Sequence, residues 1–356
     1  MPQVLLYGFP TRVSCPSGRA VPSRANLARA CHGAQQKHAW PSACISQRDY
    51  FSAVLGSFSN VFGALQKGGV RSYRSTRPRR AAAQTAFASA ECSEEFVELA
   101  HKLADAAGEI TSAYFRTKLD VENKGDESPV TVADRAAEVK MRELINEAFP
   151  DHGVYGEEGG LDIRKGEYVW VLDPIDGTKS FITGKPLFGT LIALVKDGNP
   201  ILGIIDQCIL KERWVGAAGR PSTLNGVEIC TRKCGPVGEA FMYSTTPLMF
   251  EGDTLRQYNQ LAEKVRIPMF GCDCYAYGLL AAGFCDLVVE ADLKPYDFMA
   301  LVPVVEGAGG ILTDWQGQRV KLDLTSMLDG SPSRAYEVIA AGDQATHEAA
   351  MQILNE

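Results

Sequence analysis

The chain has 356 residues, 46% of them apolar, with 36 Lys and Arg against 43 Asp and Glu, a composition that supports a sizeable core and excludes a fibrous or wholly disordered protein. The net charge of −7 conceals a split: residues 1–90 hold 12 basic residues and one acid, Asp49, whereas residues 91–356 hold 24 basic and 42 acidic ones, so the two parts carry +11 and −18. No run reaches the ~18 consecutive apolar residues of a membrane span, and an acidic body binds nucleic acid poorly, so neither is expected as a partner.

The first ninety residues read as an address. Arg71–Arg80 is free of acids and runs into Ala81-Ala82-Ala83, the composition of an organelle transit peptide without the compact apolar core of a secretory signal. Residues 1–82 are therefore set apart from the fold. A basic arm for nucleic acid or membrane is the competing reading. The Val54–Leu65 stretch fits an amphipathic helix, which separates neither reading.

The body, residues 91–356, is expected to be one catalytic unit of two lobes, about 91–235 and 236–356. After Ser93 the apolar positions Phe96, Leu99, Ala100, Leu103, Ala107 and Ile110 recur at helical spacing behind the acidic first turn of Glu94 and Glu95. A second helix follows Thr131, with Ala137, Met141, Leu144, Ile145 and Ala148 on one stripe and Pro150 beyond its end. Strand-sized runs come next at Tyr168–Leu172, Gly189–Val195, Ile201–Ile205 and Arg213–Ala217, and Asp197-Gly198-Asn199-Pro200 reads as a hairpin turn between two of them. The second half alternates: a helix near Thr254–Val265, a strand at Ile267–Phe270, a helix at Tyr275–Ala282, a strand at Asp286–Glu290 and a helix from Asp297. The first half thus reads as α+β and the second as α/β.

The body has seven cysteines, an odd number, and the chain has no N-x-S/T acceptor, so reduced and mostly buried thiols are expected rather than a secreted disulfide framework. Gly177 and Gly184-Lys185 have the wrong spacing for a phosphate loop, and Pro186 stands where Ser or Thr should follow the lysine. The five histidines, His32, His38, His101, His152 and His347, lie far apart without cysteine partners, which removes the usual support for zinc.

What remains is Trp170-Val171-Leu172-Asp173-Pro174-Ile175-Asp176-Gly177-Thr178, an apolar strand ending in two acids and a Gly-Thr turn. Two carboxylates held close repel each other unless a divalent cation lies between them, and hard oxygen donors favour Mg²⁺. Gly177 lets the chain turn so that amides near Thr178 can face an anion. Three further segments add acids: Gly156-Glu157-Glu158-Gly159, Thr131-x-x-Asp134 and Lys294-Pro295-Tyr296-Asp297-Phe298. Each has a plainer reading, respectively a solvated turn, a capping box and a helix cap.

Together these segments, with Glu306-Gly307-Ala308-Gly309-Gly310 after the late acid, resemble the inositol monophosphatase-like family of metal-dependent phosphatases over about residues 93–350. Departures are Tyr296, where the family usually has tryptophan, and Pro303 inside the expected last helix, which implies a kink or an early end. The resemblance implies a layered α-β-α-β-α sandwich of the inositol monophosphatase/fructose-1,6-bisphosphatase type. It further implies two or three Mg²⁺ ions held by Glu157, Asp173, Asp176, Asp297 and the Ile175 carbonyl, and an Asp134–Thr178 pair that orients the attacking water, with Glu157 in the catalytic set. Substrate contacts would come from Glu157, Ile175, Asp176, Gly177, Thr178, Asp273, Glu290 and Asp297. Metal charge would also let a body carrying −18 accept a dianionic ester.

Within the family, Ser180–Thr190 and Phe270–Tyr277 look like the branch that hydrolyses histidinol phosphate, a plastid enzyme of histidine biosynthesis. Inositol phosphatases usually carry a small Gly-[ST]-Ala run where this chain has Gly271-Cys272-Asp273. An added carboxylate suits a leaving group with an ammonium and an imidazole of pKa near ~6.5; the plainer reading of Asp273 is a buried helix cap. Inositol phosphate or a related sugar or nucleotide ester is the alternative substrate, and a non-catalytic phosphate-binding regulator a remote one. The family is often dimeric, so a homodimer is expected.

Overall fold

The computed structural model describes residues 91–118, 121–123, 129–323 and 335–356; the expected leader, residues 1–82, lies outside them. Helix α1 (Glu94–Tyr114) buries Phe96, Leu99, Ala100, Leu103 and Ala107, the stripe expected from its spacing. A short ribbon, β1 (Val121–Asn123) with β2 (Pro129–Thr131), leads into α2 (Val132–Ala148), which buries Ala137, Met141 and Ile145.

Eight strands follow, interrupted by the five-residue helix α3 (Thr178–Ile182): β3 (Gly153–Gly156), β4 (Gly160–Asp162), β5 (Tyr168–Asp176), β6 (Gly189–Lys196), β7 (Asn199–Gln207), β8 (Glu212–Ala217), β9 (Thr223–Leu224) and β10 (Val227–Glu228). They form one sheet in the order β10-β9-β8-β7-β6-β5-β3-β4, parallel only between β3 and β5. The β6–β7 turn is the expected hairpin: Asp197 and Gly198 both take positive φ, 50° and 74°, and Lys196 pairs with Asn199.

The remaining elements are β11 (Phe241–Ser244), α4 (Gly252–Ala262), β12 (Ile267–Phe270), α5 (Tyr275–Ala281), β13 (Leu287–Leu293), α6 (Pro295–Phe298), α7 (Leu301–Gly307), β14 (Ile311–Asp314), β15 (Tyr336–Ala341) and α8 (Gln344–Leu354). Their strands form a second sheet, β12-β11-β13-β15-β14, parallel around β11 and antiparallel at β15.

Alternation along β5 divides its side chains between two cores. Trp170 and Leu172 pack with α1 and α2. Val169 and Val171 pack on the opposite side with residues of α5, α7 and one face of the second sheet. That sheet's other face, with Leu287, Val289 and Ile339, closes a third core with α4 and α8. The layers therefore run α-β-α-β-α, as the family resemblance implies.

Three local expectations change. The strand read as ending at Leu172 continues to Asp176, with an irregularity in its pairing to β6 between Asp173 and Asp176; the break in register is what turns both acids toward one side. The helix expected from Asp297 is two short ones, with Asp297 in the first turn of α6 and the interruption at Met299-Ala300. Pro303 supplies the reason: it has no N–H for the carbonyl four residues earlier, that of Met299, and sits instead in the first turn of α7. Finally, Asp273 does not cap α5, whose N-cap is Cys274. Asp273 takes a left-handed φ of 48° and turns its side chain back toward α3.

Four of the seven body cysteines, Cys92, Cys272, Cys274 and Cys285, are buried and all seven are free thiols.

Candidate active site

The acids that the sequence singles out converge where β5, β3, β13 and α6 meet. Ligand oxygens of Asp173, Asp176 and Asp297 all lie within 4.8 Å of one another, and among the described residues this is the one group of at least three His, Cys, Asp or Glu side chains close enough to share a metal ion. Glu157, in the turn after β3, hydrogen-bonds Asp173 and adds to the negative field on Asp297.

Each carboxylate is oriented by a backbone N–H. Ile175 N–H donates to Asp173 Oδ1 at 3.1 Å, an Asx turn. Cys274 N–H donates to Asp176 Oδ2 at 2.6 Å, and Lys294 N–H to Asp297 Oδ2 at 2.7 Å. The ligand set is thus fixed by main-chain atoms from β5, the start of α5 and the start of α6.

Among the described residues, the groups that oppose this cluster's charge, the Cys274 and Lys294 amides and the Lys294 ammonium, do not outweigh burial and mutual repulsion. Burial raises the Asp173 carboxyl well above its ordinary range, with Glu157, Asp176 and Asp297 adding to the shift. Asp176 is raised by burial and then by Asp273 and Asp297. Burial also pushes Asp297 up to about 8, against the Lys294 N–H and with Glu157 and Glu290 reinforcing it. Such an all-oxygen, mutually repelling donor set fits a hard divalent cation.

Asp134 meets its plainer reading as a cap and leaves one carboxylate oxygen over. Its Oδ2 accepts the N–H and hydroxyl of Thr131 at 2.9 and 2.5 Å, completing the capping box of α2. Its Oδ1 is buried without a hydrogen-bond partner, an arrangement a pure cap does not need. Thr178 is close by in sequence to the cluster, but its hydroxyl donates to the Ile175 carbonyl at 3.1 Å rather than to Asp134. The Ile175 carbonyl, expected as a metal ligand, is therefore also a hydrogen-bond acceptor.

Gly177 is required twice. Its φ of 86° is left-handed, and an added Cβ would stand 2.9 Å from the Asp273 carboxyl carbon. Asp273 thus packs directly on the turn that follows Asp176. Its Oδ2 accepts from Ser180 Oγ at 3.0 Å; burial raises its pKa, while Ser180, Lys185 and Lys179 pull it down.

A pocket of about 140 Å³ opens beside the cluster, lined by Asp176, Asp273, Glu290, Asp297, Thr245 and Tyr277 among others. Glu290 accepts the Thr245 N–H and the Tyr277 hydroxyl, each at 2.8 Å. Thr245, Tyr277 and the Cys274 amide were not legible beforehand: two act through main-chain atoms, and Tyr277 reads from its spacing as core. A larger cleft of about 670 Å³ lies between α1 and the β7–β8 hairpin. Its arginine, Arg213, is already paired with Asp206 and Asp105 at 2.6 and 2.8 Å, and it lacks the acidic triad.

Comparison with known proteins agrees with this geometry. The model of the inositol monophosphatase family matches residues 93–356. A bifunctional phosphatase, IMPL2, of Arabidopsis thaliana chloroplasts is 52% identical over 263 residues, 73% of this chain and 75% of that protein. A histidinol-phosphatase of Chlorobaculum parvum is 33% identical and covers 69% of this chain and 95% of its own length. Among solved structures, an inositol monophosphatase from Zymomonas mobilis superposes with a TM-score of 0.66 at 46% identity, covering 74% of this chain and 98% of that one. The chain belongs to the inositol monophosphatase family.

Proposed function

We propose that this protein is a Mg²⁺-dependent phosphoric monoester hydrolase that converts histidinol phosphate and water to histidinol and phosphate in histidine biosynthesis. The observation that carries the reading is the position of Asp273 and Glu290 on the wall of the pocket that opens beside Asp173, Asp176 and Asp297. Histidinol-phosphatases of bacteria and a chloroplastic phosphatase of Arabidopsis thaliana are among its relatives.

Glu157, Asp173, Asp176, Asp297 and the Ile175 carbonyl would hold two or three Mg²⁺ ions. Bound there, Mg²⁺ supplies positive charge for the phosphate oxygens and lowers the pKa of water. Asp134, with Oδ1 unpartnered and its pKa raised by burial, accepts a proton or hydrogen bond from the attacking water, which the Thr178 hydroxyl helps to orient. The amides of Gly177 and Thr178 hold phosphate oxygens. Glu157, the Ile175 carbonyl, Asp176 and Asp297 would meet the ester through the cation they hold, and Asp273 and Glu290 would face the amine and imidazole of the leaving alcohol. The water is thereby held in line with the breaking P–O bond.

Phosphate release from histidinol phosphate and from inositol 1-phosphate, each with Mg²⁺ and with a chelator, tests the assignment. Faster release from histidinol phosphate, abolished by the chelator, is expected; equal rates would remove the substrate assignment, and chelator-insensitive turnover the metal. The second reading, a neutral polyol phosphate as substrate, is favoured by the likeness to the Zymomonas mobilis inositol monophosphatase. The basic leader, residues 1–82, would direct the chain to the plastid stroma, where it would act as a homodimer. A reporter fused behind residues 1–82 should enter isolated chloroplasts, and sedimentation of the body should give twice the chain mass.

A further inference from the structure

The turn that carries Glu157 is held from below by a residue outside the expected site. Glu138 lies on α2 one turn after Asp134, with its side chain only 2% exposed. Its Oε2 accepts the N–H of Glu158 and its Oε1 the N–H of Gly159, both at 2.8 Å. Arg142, a further turn along, donates Nε to Oε1 of Glu138 at 2.7 Å and Nη2 to the carbonyl of Gly160 at 2.6 Å. One carboxylate and one guanidinium therefore bind three consecutive residues of the turn between β3 and β4.

The glycines of Gly156-Glu157-Glu158-Gly159 now have a reason. Neither end has a positive φ, so conformational freedom is not what they provide. A Cβ on Gly156 would stand 2.2 Å from Glu138 Oε1, and one on Gly159 2.7 Å from the same atom. Both are absent side chains that make room for the Glu138 carboxylate. Asp134, Glu138 and Arg142, at successive intervals of four, share one face of α2, so the helix that presents Asp134 also sets the height of Glu157.

We propose that Glu138, braced by Arg142, is a positioning residue for Glu157. It docks the turn as a pre-formed anionic clamp, so that the Glu157 carboxylate is delivered against Asp173 without having to be ordered when the cation arrives. The inference rests on Glu157 being a metal ligand. Partners of this kind, one shell removed from the ligand, typically change metal affinity by ~10–100-fold. Buried charges that accept several N–H groups tolerate poorly the loss of one acceptor.

The test is a calorimetric Mg²⁺ titration of the wild type, Glu138→Gln, Glu157→Gln and the double variant, with melting temperatures taken in chelator. In Glu138→Gln one of the two loop acceptors becomes an amide nitrogen facing an N–H, so Mg²⁺ affinity should fall about tenfold or more. Saturating Mg²⁺ should restore most of kcat, because the residue touches neither ester nor water. The double variant should lose no more affinity than Glu157→Gln alone, since one residue acts through the other. Arg142→Met, which keeps the carboxylate, should show the same pattern more weakly and serves if Glu138→Gln fails to fold. Weaker binding in Glu157→Gln with unchanged binding in both Glu138→Gln and Arg142→Met would overturn the proposal alone, as would additive losses in the double variant. Unchanged binding in Glu157→Gln would overturn the metal reading and the proposal together.

Discussion

At its start, β5 sets Tyr168 and Trp170 against His152, and at its finish it carries Asp173 and Asp176. Both ends bury ionisable groups, but in opposite ways. The Trp170 Nε1–H donates to His152 Nδ1 at 3.2 Å, and the imidazole stacks on Phe149 and Tyr168 with centroids 4.6 and 4.9 Å apart. Burial lowers the His152 pKa, so the ring is held neutral and its surroundings satisfy it. At the other end burial raises three carboxyls that repel each other, and the pulls of Lys294 on Asp297 and of Cys274 on Asp176 do not cancel the rise. The same strand shows that burying a titratable group is a matter of packing where the chain resolves the charge itself, and of function where it does not.

The largest expected effect comes from the unresolved end. Asp176→Asn keeps the shape and the bond from the Cys274 amide but removes a unit of donor charge, and should lower kcat by roughly 10³-fold or more, the scale of losing an electrostatic element of the transition state. Normal melting with absent turnover is the outcome to look for; comparable Mg²⁺-dependent rates would contradict the site. Next, the wild type should melt higher in Mg²⁺ than in chelator, a stabilisation of about 2.7 kcal/mol when Mg²⁺ is at 100 times its Kd. Asp176→Asn should lose much of that gap, whereas His152→Phe should keep it.

A smaller effect is expected at the pocket wall. Asp273→Asn should reduce kcat/KM for histidinol phosphate by about 1–2 kcal/mol while inositol 1-phosphate changes little. The lower part of that range is favoured because Ser180 and the two lysines already share the Asp273 charge. Equal losses on both substrates would make Asp273 a support for the Gly177 turn.

The smallest effect belongs to the resolved end, and its sign is opposite to a simple salt-bridge case. The folded-state pKa of His152 lies below its ordinary 6.5, so the unfolded chain binds the proton more tightly. Its contribution to stability is complete above about pH 6.5 and is lost as pH falls through the depressed folded value. In urea unfolding across that window the stability of the wild type relative to His152→Phe should decline on acidification; the raised carboxyls of the acidic cluster, which act in the opposite direction, and the lowered His101 and His347 are common to both proteins and drop out of that difference. An unchanged difference would contradict the neutral ring.

The expected helices α1 and α2 and the β6–β7 hairpin were legible because each depends on a local period or a two-residue turn. The four acids Glu157, Asp173, Asp176 and Asp297 were legible through motif order. Glu138 was not, although Asp134, Glu138 and Arg142 recur at intervals of four; nothing local says that a buried carboxylate will meet two amides twenty residues downstream. Asp273 lines the pocket beside the cluster and does not cap α5; its left-handed backbone, packed on Gly177, is not signalled by its neighbours in sequence. The break at Met299-Ala300 is legible from Pro303 as the kink or early end it implies; its position is set by the carbonyl four residues upstream that loses its N–H partner.

Where Ala300 and the first turn of helix α7 cross β7 and β8, two glycines let main chain approach main chain. A Cβ on Gly203 would stand 1.9 Å from the Ala300 carbonyl oxygen, and one on Gly216 2.2 Å from that of Pro303. Because Asp297 is a few residues before this contact, the span between the two halves of the donor set is a main-chain dimension with no rotamer available to adjust it. Substitutions elsewhere in that core can be absorbed by repacking, but a single methyl group at Gly203 would act as a wedge between sheet and helix. Drift in this family member is therefore cheapest where side chains meet side chains, and a collection of random variants should show active sequences with many altered leucines and valines and almost none altered at Gly203.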